Sequence, residues 1–284
     1  MKSPRQGPEE RILGLIERTS TTLPDDVLAA LGRAARREGR ASRARARVVL
    51  DTILENVRIA SAQGTPLCQD TGTLSFYVSS SLRRKVSPQT IAKAVARATE
   101  RGLLRQNTID SVTGRSVASN VCHGAPVVHY VDDWENAVSL LMKGGGSENM
   151  SVQFSLPDAA LGAGRDMEGV RRCLLAAVHK AQGFGCAPGI LGVCVGGDRA
   201  SAFAEAKRQL FRRLDDENAV PELAKLEKRV LREANSLGIG PMGLGGKTTL
   251  LGVKIGALPR VPASFFVTVA YLCWAARRGR IVFR

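Results

Sequence analysis

The sequence predicts an α+β fold: a helical amino-terminal region packed on a mixed α/β body that carries glycine-rich loops. Three observations predict it. Residues 8 to about 62 repeat apolar side chains at helical spacing. The remainder, about 63–284, mixes short β-rich apolar runs with amphipathic stretches. These do not alternate strictly, so a purely βαβ body is not expected. The 284 residues can bury a sizeable core, and no repeat or low-complexity linker divides them. Residues 1–284 are therefore expected to form one domain.

The elements follow in order. Pro24, with Asp25 and Asp26 behind it, marks a helix start with acids in its first turn. Ser42 is a candidate cap for the helix "RARARVVLDTILENVRIASAQG", whose Val49, Ile53, Val57 and Ala60 recur at helical spacing and which Gly64 ends. "LSFYV" (74–78) has strand character. "SPQTIAKAVARATERG" (87–102) reads as a helix with Ser87 at the cap, Pro88 at the first position and Gly102 after the last turn. "APVVHYV" (125–131) and "AVSLLMKGGG" (137–146) read as strands feeding loops. Helices are expected over 166–183, 198–214 and about 221–237, with a short apolar strand at 189–197 between the first two. "TTLLGVKIG" and "ASFFVTVAYLCW" close the chain with β-rich character.

Composition excludes several classes. Hydrophobic content of 44% and charged content of 24% suit an ordinary globular protein. The amino terminus lacks an apolar core, so a secretory signal is not expected and the chain is placed in the cytoplasm. The longest apolar run, 261–276, is too short to span a bilayer and contains Pro262, Ser264 and Thr268. Six cysteines without a close CxxC pair argue against a disulfide scaffold or a zinc finger. The net charge of +15 concentrates in "GRAARREGRASRARAR" (32–47) and "RRGRIVFR" (277–284). Such runs bind nucleic acid or an acidic partner, or simply form solvated helix faces. Aromatics are 5%, and no aromatic-basic stacking pattern accompanies the arginines.

Four glycine-rich stretches stand out: 143–149, 183–189, 192–197 and 238–249. The last, "GIGPMGLGGKTT", fails the phosphate-loop template, because Pro241 stands where that loop needs its first glycine. Each stretch alone reads as a tight turn. Together they suggest backbone amides brought close to a ligand. Cys173 in a helix and Cys194 in an apolar strand read as small buried hydrophobes. Cys68, Cys186 and Cys273 are the candidates for metal, since loops and strand ends can converge. Three thiolates would leave one iron of a [4Fe–4S] cluster without a protein ligand, free to act as a Lewis acid.

At these residues the chain resembles the α-type part of the iron–sulfur hydro-lyases, class I fumarate hydratase and L(+)-tartrate dehydratase. The resemblance is carried by "PLCQDTG", "LLRQNTID", "KGGGSENMS", "GCAPGILGVCVGG", "LGIGPMGLGGKTTLLGVKIG" and "RVPASFFVTVAYLCWAARR", in that order from 66 to 278. It implies one catalytic domain with its glycine-rich loops around a [4Fe–4S] cluster held by Cys68, Cys186 and Cys273. It implies that Gln69 and Asp70 face the substrate, that Arg105 grips a substrate carboxylate, and that Gly144, Gly145 and Gly146 lie beside the dicarboxylate. Asp70 is the candidate acid/base; as a plain structural residue it would hold an Asx-turn. Lys143 and Lys247 either add charge near the anion or stand solvated.

One departure is visible: the family's Cys-Pro-Pro reads Cys186-Ala187-Pro188 here, which implies a slightly looser loop. The resemblance also implies a separate β subunit that completes the site. The basic surplus would then serve an acidic partner or steer a dianion. The expected reaction is reversible hydration of fumarate to (S)-malate, with L(+)-tartrate dehydration the close alternative. A basic nucleic-acid-binding protein is the alternative of another class.

Overall fold

Strand pairing divides the protein into two four-stranded mixed sheets, ordered β2-β1-β3-β8 and β4-β7-β5-β6. The structure is a computed structural model describing residues 6–39 and 45–283. In chain order the elements are α1 (Pro8–Thr21), α2 (Asp25–Arg37), α3 (Arg45–Gln63), β1 (Thr73–Ser79), α4 (Pro88–Glu100), β2 (Val127–Val131), β3 (Ala137–Lys143) and α5 (Gly145–Asn149). Then come β4 (Val152–Ser155), α6 (Met167–Ala181), β5 (Gly189–Gly196), α7 (Arg199–Gln209), α8 (Pro221–Ser236), β6 (Leu250–Leu258), β7 (Phe266–Leu272) and β8 (Arg277–Val282). Residues 6–24, 55–145 and 277–283 form one compact unit; 25–39, 45–54 and 146–276 form a second.

In the first unit β1 runs parallel to β2 and antiparallel to β3, which pairs antiparallel with β8. The two-residue side-chain period puts Leu74, Phe76 and Val78 on one face, joined by Val138, Leu140 and Met142. Ile12 and Ile16, four apart on α1, and Ile91 and Val95, four apart on α4, cover that face. The Ser87 hydroxyl accepts from Thr90 N at 3.2 Å and caps α4, with Pro88 opening the helix as its sequence requires. Gly279 lets α1 approach β8 directly: a Cβ there would lie 2.3 Å from Thr19 Oγ1.

In the second unit β5 is buried along its whole length, between parallel β6 and antiparallel β7. A strand covered on both faces reads as a continuous apolar run, which "GILGVCVGG" is. Leu191, Val193 and Val195 face a core shared with Val170, Leu174 and Val178 of α6 and Leu226 and Val230 of α8. α7 packs against the same sheet. Gly192 allows its close approach, because a Cβ there would meet the Ala206 carbonyl oxygen at 2.2 Å.

The helical amino-terminal region packs on both sheets: α1 against α4, β3 and β8 in the first unit, α2 against β6 in the second. Two strands depart from the sequence reading. β4 was not anticipated, and the arginine run at 277–282 is strand β8, with Arg277 and Arg278 buried. That run is therefore no solvated helix face. The proposed Ser42 cap and residues 40–44 of the 32–47 arginine run lie outside the described residues, while Arg33, Arg36 and Arg37 are exposed on α2. Cys173 and Cys194 are fully buried, and burial pushes both thiols up to about 12. Their reading as core residues stands.

Gly192→Ala should push α7 away from β5 and lower stability by about 1–3 kcal/mol, read from urea unfolding. A pH effect follows from Asp216. Burial raises its pKa, but hydrogen bonds from Arg212 and Lys254 outweigh this and hold it below the ordinary carboxylate value. A depressed folded pKa stabilises above the ordinary range and loses its contribution as pH falls. Asp216→Asn should therefore cost stability at pH 7 and progressively less as the solution is acidified below pH 4.

Candidate active site

The "CQDTG" segment enters β1 from the end of α3, and its geometry is set by glycine. Gly72 has φ +71°, and a Cβ there would lie 2.3 Å from the Lys143 carbonyl oxygen. Only glycine fits both conditions. The turn aims Asp70 at a set of donors. Asp70 Oδ1 accepts from Gly72 N at 2.9 Å and from Asn107 Nδ2 at 3.0 Å, and Oδ2 accepts from Gly145 N at 2.7 Å. The Asp70 carbonyl accepts from Arg277 Nη2 at 2.7 Å. The Asx-turn to Gly72 is thus present, but it accounts for only one of three bonds to the carboxylate.

Asp70 opens onto a cavity of about 330 Å³ within the first unit, lined also by Asn107, Thr108, Asn120, Pro126 and Gly145. Arg277 is 1% exposed, and its Nε is buried with no hydrogen-bond partner among the described residues. A buried guanidinium beside Asp70 brings positive charge to this loop. Gly144 is buried under Asp70, where a Cβ would come 2.8 Å from Oδ2. Lys143 at the end of β3 is buried, and Lys247 is exposed.

The other expected site residues take these places. Cys68 is half-buried and Gln69 exposed, and both precede the turn that begins at Asp70. The Arg105 side chain is exposed, and its carbonyl accepts from Thr71 Oγ1 at 2.7 Å, which ties its backbone to the same loop. Gly145 belongs to the first unit through its bond to Asp70, and Gly146 opens the second.

Cys186 and Cys273 lie together in the second unit. Cys273 follows β7, and Trp274 N donates to the Cys186 carbonyl at 3.2 Å. Cys186 itself has φ +54°. Tyr271 is buried between the two segments: a Cβ at Gly185 or Gly189 would come within 2.4 Å or 2.3 Å of its ring. Its hydroxyl pKa is raised, by burial first and then by the charge of Cys273 and Cys186. The Cys186 loop is closed by further bonds, from Met242 N to the Ala187 carbonyl at 2.9 Å and from Gly189 N to the Thr249 carbonyl at 3.0 Å. None of the six cysteines is in a disulfide. Among the described residues no three His, Cys, Asp or Glu are grouped as a metal site. Within the second unit, two thiols on adjoining backbone segments are donors of the kind iron and sulfide take; Cys68 belongs to the first unit.

The 238–246 loop leads into strand β6, not a helix, and Lys247 N donates to Glu38 Oε1 at 2.7 Å. A phosphate loop opens a helix, so its exclusion holds.

A family model described as fumarate hydratase (Fumerase) matches residues 9–282. The chain belongs to the fumarate hydratase family. It is 48% identical over 277 residues to a protein provisionally named a class I fumarate hydratase from Geobacillus stearothermophilus, covering 95% of this chain and 53% of that protein. The chain therefore spans about half the length of that relative. It is 33% identical over 278 residues to a protein provisionally named the α subunit of L(+)-tartrate dehydratase from Methanocaldococcus jannaschii, covering 94% of each. It is 30% identical over 270 residues to the α subunit of L(+)-tartrate dehydratase of Escherichia coli strain UTI89, covering 92% of this chain and 86% of that one. This is the hydro-lyase family that the sequence motifs resemble.

Sequence reasoning missed Asn107, Asn120, Arg277 and Thr71. Asn107 and Arg277 sit inside motifs already singled out, but spacing says nothing about which loop residue bonds another 37 or 207 positions away. Gly72→Ala should cost more stability than Gly102→Ala. Both glycines have positive φ, but a Cβ at Gly102 meets nothing within 4 Å. The second variant isolates the backbone strain, about 1 kcal/mol, and the excess in urea unfolding measures the clash with Lys143.

Proposed function

We propose that this chain is the α subunit of a [4Fe–4S]-dependent hydro-lyase that reversibly hydrates fumarate to (S)-malate, with residues 1–284 acting as one catalytic domain. The observation that carries the reading is the 48% identity along 95% of the chain to the fumarate hydratase relative. L(+)-tartrate dehydration is the second reading, favoured by the end-to-end match with α subunits of that enzyme. Those relatives are named as α subunits, which supports a separate β subunit completing the site; the charge of +15 suits an acidic partner or steers a dicarboxylate. A cytoplasmic placement is part of the same proposal; no helix among the described residues is long and apolar enough to cross a membrane.

Cys68, Cys186 and Cys273 would hold the cluster. When bound, it supplies an open iron that polarises the substrate hydroxyl as a Lewis acid. The remaining tasks fall to side chains and backbone. Arg105 offers a planar guanidinium whose paired N–H donors match a carboxylate. Gln69 presents an exposed amide beside Asp70. Gly144, Gly145 and Gly146 let backbone approach the dicarboxylate closely. Asp70 is the acid/base: Oδ2 accepts only from Gly145 N among the bonds described, so it keeps a lone pair on which a proton can be taken up and returned.

The test is anaerobic co-expression with the partner chain, followed by turnover of fumarate against L(+)-tartrate. Brown protein that hydrates fumarate is expected, and Cys68→Ser, Cys186→Ser and Cys273→Ser should each lose the visible absorbance together with turnover. Preference for tartrate installs the second reading. A colourless protein inert toward both, with salt-sensitive RNA binding as its main property, overturns the hydro-lyase reading.

A further inference from the structure

Asn120 is 2% exposed, and its carboxamide is engaged on both sides. Oδ1 accepts from Asn107 N at 3.0 Å, Thr108 N at 3.1 Å and Thr108 Oγ1 at 3.0 Å. Nδ2 donates to Thr99 Oγ1 and to the Arg105 carbonyl, both at 3.1 Å. The two backbone amides that point at Oδ1 fix which end of the amide is oxygen. The residue has φ +57°, a left-handed conformation that asparagine tolerates better than most. One buried amide therefore grips the backbone on both sides of Gln106. Thr99 anchors it to α4, so the 105–108 segment is referred to a rigid helix.

That segment carries two groups toward the site. Arg105 is held at its carbonyl, by Asn120 and by Thr71 of the "CQDTG" loop. Asn107 extends its Nδ2 to Asp70 Oδ1. The other two donors to that carboxylate are the backbone amides of Gly72 and Gly145. Asn107 is thus the side-chain donor in the set, and a neutral one. It restricts the carboxylate's rotation and adds no cation beside it.

We propose that Asn107 and Asn120 are positioning residues of the candidate active site: Asn120 seats the 105–108 segment, and Asn107, carried by that segment, aims the Asp70 carboxylate. The kinetic consequence rests on the hydro-lyase reading; the seating itself does not. Loss of Asn107 acts on Asp70 alone and leaves Arg105 in place, so it should lower kcat and spare KM. Loss of Asn120 frees both, so KM should rise as well.

The experiment compares Asn107→Ala and Asn120→Ala in the cluster-loaded protein assembled with its partner chain. Three readouts are taken: steady-state kinetics, amide hydrogen exchange and a crystal structure of Asn107→Ala. Asn107→Ala is expected to lower kcat by about 10- to 100-fold with KM within about twofold, because small misplacement of a reacting group is costly. Its crystal structure should show the Asp70 carboxylate rotated, with slow exchange retained at residues 107 and 108. Asn120→Ala should speed exchange at the residue 107 and 108 amides by about 10-fold or more and raise KM by about 10-fold. If Asn120→Ala does not fold, Asn107→Ala decides. Wild-type kcat in Asn107→Ala, or unchanged exchange in a folded Asn120→Ala, overturns the proposal. A wild-type protein that turns over neither dicarboxylate sinks the hydro-lyase reading instead. The positioning claim is then settled by exchange and by the crystal structure, where an unmoved Asp70 carboxylate overturns it.

Discussion

The three hydrogen bonds to the Asp70 carboxylate are the constraint on which the first unit's site depends. A carboxylate on a loop has a free χ1 and χ2, and fixing them needs donors on more than one side. Here the donors come from three places along the chain: Gly72 in the same turn, Gly145 after β3, and Asn107 in the 105–108 segment. Each requires a local concession. Gly72 must be glycine so that the loop can lie against the Lys143 carbonyl, and Gly144 must be glycine so that Oδ2 can reach the next amide. Arg277 is drawn into the interior to hold the Asp70 carbonyl.

In the second unit the cysteines fall into two settings, although Cys273 is buried like Cys173 and Cys194 and only Cys186 is half-buried. Cys173 and Cys194 sit inside α6 and β5, and burial makes their thiols inert. Cys186 and Cys273 sit just outside β5 and β7, and backbone bonds from Trp274 and Met242 hold the loop of Cys186. Gly185 and Gly189 clear room for the Tyr271 ring, which fills the space behind them.

Much of this was legible in the sequence, for reasons that differ by element. α4 declared itself through Ser87, Pro88 and Gly102, because caps are local chemistry. β5 declared itself as an apolar run between glycines. β8 did not, because its residues read as charge: burial of Arg277 and Arg278 is decided by partners far along the chain. β4 is four residues long and carries too little pattern to register. In the site, Asp70 and the glycines were visible as a motif. Asn120 was not, since a lone asparagine in a loop looks like any turn residue until its partners on α4 and the 105–108 segment are known.

The motifs named residues, and the structure of the first unit adds the setting on which the acid/base role proposed for Asp70 rests: its carboxylate is held by three donors, lines a cavity, and accepts one described bond at Oδ2. The measurement that tests this most directly is kcat for Asp70→Asn in the anaerobic, cluster-loaded protein, with iron content measured on the same sample. The account expects wild-type iron content and a fall in kcat of about 100-fold or more, since the amide cannot carry the proton. Turnover at the wild-type rate, with the iron intact, would contradict it.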